Sequence, residues 1–311
     1  MSSRIRCAPA SERLGEPLAG SAPTAGRWLL LEQPGPWGRK ALVQSDLDAT
    51  VAAELDRRAE ALGIRVQLLR HGTRRGAPGP RSCFLASLDA GDAWLERHEL
   101  ATSEAVLELD LDALAAGRRT DPAAAWERPL FAVCTHAKRD ACCAERGRPL
   151  ARALGRHRGP DTWETSHLGG HRFAATFIAL PAGLVFGRVP AAEGPAIAAA
   201  AERGELALEH LRGRAGLPAA AQFADAHVRL REGLTRLADV EVVAVADLGD
   251  GVSTVDLRVP GERLLRARVL RAQTGSPRPL SCGADEEDPG HLELIALERL
   301  AVAAGEHEAA A

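Results

Sequence analysis

The sequence predicts a mixed α/β chain of the α+β class: two related halves of order β-α-β-β-β-α, followed by a small β-rich C-terminal unit. Two observations carry this reading. Short apolar runs that suit buried strands alternate with stretches of helical spacing, and the same order of elements occurs twice, over residues 27–120 and 128–204. Beyond them, residues 205–300 hold a helical segment and then β-branched runs broken by a Gly-Asp-Gly turn. Residues 1–26 are rich in Ser, Ala, Pro and Gly and read as a flexible N-terminal arm. A length of 311 residues suffices for two domains and a small third unit.

In the first half, Trp28-Leu-Leu-Leu-Glu32 is an apolar strand ended by the turn-forming Gln33-Pro-Gly-Pro-Trp37-Gly38. From Asp46 to Leu62, Leu47, Val51, Leu55, Ala59 and Leu62 fall at helical spacing, and Gly63 stands at the usual C-terminal stop. Val66–Leu69, Cys83–Leu88 and Ala93–Glu96 read as strands, and Thr102–Ala116 as a closing helix. Cys83 lies in an apolar strand and reads as a small buried core residue. Residues 117–127 are polar, contain Pro122 and suit a linker.

The order then restarts. Pro129–Val133 is a strand, Pro149–His157 a helix with Leu150 and Leu154 on one side, and Asp161–Glu164 a short strand. Phe173–Leu180 and Leu184–Val189 form a hairpin across Pro181-Ala-Gly183, and Glu193–Arg203 is an alanine-rich helix closed by Gly204. The region 205–236 reads as helical with an interruption at Gly213–Pro218. Val240–Asp247, Gly251–Val259 and Leu264–Arg271 follow as strands, and Glu293–Ala304 as a terminal helix or strand.

Composition narrows the function. The hydrophobic share of 46% fits a globular chain, and a net charge of -3 gives no reason to expect nucleic acid or a membrane surface as partner. The first residues, MSSRIRCAPASERLG, lack the apolar core of a signal peptide, and no run approaches the roughly 18 apolar residues of a membrane span. These features point to the cytoplasm, where six cysteines serve better as ligands or redox groups than as disulfides.

The chemistry concentrates between Cys134 and His171. Cys134, then Cys142 and Cys143, are followed by His167 and His171, the soft and borderline ligands that iron–sulfur clusters and zinc prefer. Gly169 and Gly170 disfavour a regular helix between the two histidines, so that stretch reads as a loop bent around a bound group. The matching place in the first half, Gln33-Pro-Gly-Pro-Trp37, holds no metal ligand. Outside this stretch, Cys7 reads as an incidental surface thiol and Cys282, in Pro-Leu-Ser-Cys-Gly, as a free structural one.

Three stretches resemble the sucrase/ferredoxin-like family, whose cluster-bearing part is a thioredoxin-like ferredoxin. They are Cys134-Thr-His-Ala-Lys-Arg-Asp-Ala-Cys-Cys143, Trp163-Glu-Thr-Ser-His-Leu-Gly-Gly-His-Arg-Phe-Ala174 and Leu180-Pro-Ala-Gly-Leu-Val-Phe-Gly-Arg-Val189. Glu32–Gly38 and Leu211-Arg-Gly-Arg214 are similar too, so the likeness covers most of residues 27–290. The resemblance implies two thioredoxin-like halves. It also implies a [2Fe–2S] cluster with one iron on Cys134 and Cys143 and the other on His167 and His171, as in a Rieske centre. The family pattern puts the second cysteine three residues after the aspartate, here Asp140, which favours Cys143 and leaves Cys142 as the alternative. His136 is then a neighbour of the site and not a ligand.

The leading expectation is an electron carrier with no substrate pocket of its own, served by a redox partner protein, either a reductase or an electron acceptor. A Cys2His2 structural zinc site uses the same four residues. A thiol–disulfide oxidoreductase is weaker, because Cys-x-x-Cys is absent and adjacent Cys142 and Cys143 form no ordinary disulfide. Sucrose hydrolysis needs a paired acid and nucleophile carboxylate, and no stretch singles one out. No flavin- or nicotinamide-binding glycine motif appears either.

Overall fold

A computed structural model describes residues 5–71 and 79–301. A short helix, α1 (Cys7–Arg13), precedes the first half, which comprises β1 (Arg27–Glu32), α2 (Ala49–Ala61), β2 (Ile64–Arg70), β3 (Arg81–Ser87), β4 (Trp94–Leu100) and α3 (Leu111–Ala115). The second half repeats the order with β5 (Leu130–Cys134), α4 (Ala141–Arg158), β6 (Thr162–Thr165), β7 (Phe177–Leu180), β8 (Leu184–Phe186) and α5 (Gly194–Glu202). Then come β9 (Leu211–Arg214), α6 (Ala219–Glu232), β10 (Glu241–Gly249), β11 (Val252–Val259) and β12 (Arg263–Ala272). A two-residue ladder, β13 (Arg278–Pro279) with β14 (Glu286–Glu287), precedes the last strand, β15 (His291–Leu300).

This is the expected α+β class. Nine strands form one sheet in the order β4-β3-β1-β2-β6-β5-β7-β8-β9. Within each half the first two strands run parallel and the others antiparallel, so β2-β1-β3-β4 and β6-β5-β7-β8 are the same arrangement used twice. The halves join where β2 and β6 pair antiparallel over Leu69↔Thr165 and Arg70↔Glu164. Only their last residues overlap, so the C-terminal ends of both strands meet at the junction.

Alternation along the central strands builds the core. Trp28 and Leu30 of β1 share one cluster with Leu130, Ala132 and Cys134 of β5. Leu29 and Leu31 pack on the other face against Val51 and Leu55 of α2, and Phe131 and Val133 against Leu150 and Leu154 of α4. One sheet face therefore carries a core common to both halves, and Cys134 and Cys143 lie in it. The C-terminal strands form a separate sheet, β10-β11-β12-β15, covered by Ala221, Ala224 and Val228 of α6. Among the described residues no helix is long and apolar enough to cross a membrane.

Several expectations change. Residues 5–26 do not hang free: Cys7, Ala8, Ala10 and Ser11 of α1 are buried, and buried Glu16 pairs with Arg172 and Arg278. The region expected to be helical from 205 instead contributes β9, paired with β8, because Leu211, Arg212 and Gly213 are all buried in the sheet. Thr102–Ala116 is a 3-10 turn (Ser103–Glu108) and then α3, since Leu109 between them is extended. Helix α4 starts eight residues before Pro149, capped by Asp140, and Pro149 lies inside it.

Candidate metal centre

Cys134 ends β5, and α4 brings Cys143 to it. The Asp140 carboxylate accepts from the Cys142 amide at 2.8 Å, the hydrogen bond that starts the helix. Successive residues on a helix point about 100° apart, so the adjacent cysteines diverge. Cys143 faces Cys134 and His167; Cys142 faces Cys7, Cys282 and Asp140. Close approach depends on Gly147, where an added Cβ would stand 2.0 Å from the Cys134 carbonyl oxygen. Gly147→Ala should therefore push α4 off β5 and cost about 1–3 kcal/mol, read as a lower urea midpoint. Unchanged stability would contradict this packing.

The histidines come from the loop after β6. Gly169 (φ 94°) and Gly170 (φ 62°) occupy the left-handed region that lets the loop turn back. Arg65 of β2 donates to the His167 carbonyl at 3.1 Å, and fully buried Arg212 of β9 donates to the Gly169 carbonyl at 3.0 Å. The first half and the sheet edge thus hold the loop in place. His167 Nδ1 lies 3.9 Å from Cys134 Sγ and 3.7 Å from Cys143 Sγ. His171 Nδ1 is 3.2 Å from His167 Nε2, and its own Nε2 is 3.9 Å from Asp140 Oδ2. Both thiols are buried, and both imidazoles are half-buried.

The site's charges follow from these neighbours. The Cys143 thiol, hydrogen-bonded to Cys134, holds the Cys134 pKa well below the usual thiol range despite burial, and His167 adds to this. The same bond, with burial, holds Cys143 up. Cys134 is therefore the first of the pair to lose its proton. Burial, and next the facing His167, push His171 down to about 4, so its ring is neutral at pH 7 and offers a lone pair. Burial also lowers Arg212 to about 9, partly offset by attraction to Cys134 and Cys143.

Of the four expected ligands, the structure places Cys134, Cys143 and His167 in one group whose donor atoms lie within 4.8 Å of one another. His171 joins through its contact with His167. Cys142 points elsewhere. His136 is buried and donates through Nε2 to the Gly38 carbonyl at 2.7 Å, edge-on to Trp37. The ligand-free loop of the first half thus forms a wall of the second half's site. Arg70 continues that wall: it lies over Trp37 and pairs with Glu164 at 2.9 Å, while the Thr135 hydroxyl donates to the same carboxylate at 2.7 Å. The sequence reading assigns no role to Arg65, notes Arg212 only within a family-like stretch, and misses the capping role of Asp140. For Asp140 a signal was present: an acidic residue directly before a run that can be helical.

No curated protein and no solved structure matches the chain. A family model described as sucrase/ferredoxin-like matches residues 18–213. That span is more than half of the chain and includes Cys134, Cys143, both histidines and Arg212. The chain belongs to the sucrase/ferredoxin-like family.

Proposed function

We propose that this is an electron-transfer protein that holds a [2Fe–2S] cluster through Cys134, Cys143, His167 and His171. The observation that carries the proposal is the convergence of two buried thiols and His167 on one spot, with His171 set against His167 and the glycine-bent loop folded over them. Such a cluster, when bound, supplies reversible one-electron exchange. Cys134 and Cys143 contribute two negative charges as thiolates, and His167 and His171 contribute none. This ligand set carries half the charge of four thiolates, so an electron enters at a higher potential. Half-buried Arg65 and buried Arg212 add positive field and act in the same direction.

The more exposed imidazole side faces a cavity of about 450 Å³ reaching His167, with Arg39, Lys40, Arg65 and Arg139 in its lining and Asp56 as its acidic member. A redox partner with an acidic contact surface fits this basic opening. Anaerobic reductive titration of the holoprotein tests the function. Uptake of one electron per chain, with bleaching of a red-brown spectrum, is expected. A colourless protein that takes up no electron would overturn it.

One observation favours a second reading, structural zinc. Around a single tetrahedral ion, sulfur and nitrogen ligands stand about 3.6 Å apart, and His167 Nδ1 lies 3.7 and 3.9 Å from the two sulfurs. Colour and acid-labile sulfide separate the two readings, because zinc sites have neither.

A further inference from the structure

We propose that Cys7, Cys142, Cys282 and Asp140 form a second metal site, which takes zinc and is separate from the Cys134/His167 centre. The four residues come from α1, from the start of α4 and from the loop after β13, and their donor atoms all lie within 4.8 Å of one another. Cys282 Sγ stands 3.3 Å from Cys142 Sγ and 3.6 Å from Cys7 Sγ. Asp140 Oδ1 is 3.1 Å from Cys282 Sγ and 3.6 Å from Cys7 Sγ. Sulfurs on one tetrahedral zinc stand about 3.8 Å apart, and sulfur and oxygen about 3.6 Å. The observed separations equal these values or fall short of them by up to about half an ångström. The four donor atoms can therefore close on a single ion with small side-chain shifts.

The surroundings fit as well. Cys7, Cys142 and Asp140 are buried, and Cys282 is half-buried. Four protein ligands leave no open position, as in structural zinc sites. The Asp140 carboxylate is already oriented by the amides of Cys142 and Cys282 at 2.8 and 2.7 Å and by the Ser281 hydroxyl at 3.2 Å. Three thiolates and a carboxylate exceed the charge of the dication, and Arg6 and Arg146 lie where their charges are felt by these sulfurs. Three thiols in mutual reach also leave one over if any two form a disulfide, whereas a single ion uses all of them. Cys7 and Cys282 lie outside the residues matched by the family model, so the site does not depend on the function proposed above. Its occupation would tie the N-terminal helix and the C-terminal segment to the helix that carries Cys143.

The test is metal analysis and zinc X-ray absorption on the full chain, purified anaerobically with a thiol reductant and incubated with zinc before desalting. We expect one zinc per chain with three sulfur and one oxygen neighbour. A Cys7→Ser/Cys282→Ser double variant should lose that zinc while keeping the iron content and visible spectrum of the wild type. If the Cys134/His167 centre itself holds zinc, that ion shows two sulfur and two nitrogen neighbours and survives the double substitution, so the two proposals fail separately. If the double variant does not fold, the wild-type absorption spectrum alone decides between the two ligand sets. Wild-type protein with no zinc in a three-sulfur environment, or with a Cys142–Cys282 disulfide in its place, would overturn the proposal.

Discussion

Cys143→Ser should abolish the visible chromophore, and Cys142→Ser should leave it intact. The two residues are adjacent, chemically identical and both buried, so burial and composition predict equal effects. Geometry predicts opposite ones. Cys143 Sγ is 3.7 Å from His167 Nδ1, whereas Cys142 Sγ is 3.3 Å from Cys282 Sγ on the other side of the helix start. A serine hydroxyl binds iron far less well than thiolate, so the first change removes one of four ligands and the bound iron with it. Iron content and absorbance after anaerobic purification measure both variants. Loss in Cys142→Ser with retention in Cys143→Ser would move ligation to the other cysteine.

Replacing His167 and His171 together by cysteine, where the cluster survives, should lower the midpoint potential by on the order of hundreds of millivolts. Two added thiolates raise the negative charge of the ligand set from two to four. The substitution should also remove a pH dependence. A ligating imidazole retains a second ring nitrogen that can release a proton, and reduction at the metal makes that proton harder to lose. The oxidised form thus has the lower imidazole pKa, and the wild-type potential should fall as pH rises through it. The limiting slope is about 59 mV per pH unit for one proton per electron. Thiolates have no second titrating position, so the double variant should be flat. A wild-type potential independent of pH and unchanged by the substitutions would exclude histidine ligation.

The central strands and the grouping of cysteines with histidines are legible because local chemistry determines them. Trp28–Leu31 and Leu130–Val133 are apolar runs that bury on both faces, and their pattern shows in the chain without knowledge of what covers them. Longer-range pairings were not legible. The sequence reading starts helix α4 at Pro149: Asp140 offers a local cap signal, but nothing local shows that Gly147 lets the earlier turns sit against Cys134. Strand β9 reads as part of a helical region because its place depends on pairing with β8 and on burying Arg212 against the histidine loop. Cys7 reads as a surface thiol because the residues that bury it, Cys142, Ala174 and Cys282, are all distant in the chain. The Cys142/Cys143 doublet needed the helix start to be placed before its two members could be assigned to opposite sides.

Iron and acid-labile sulfide analysis of the anaerobically purified protein decides whether the centre is an iron–sulfur cluster. Two irons and two sulfides per chain are expected, held by the centre that contains Cys134 and His167, together with a red-brown spectrum. Stoichiometric zinc at that centre, with two sulfur and two nitrogen neighbours and no sulfide even after cluster reconstitution, would contradict it.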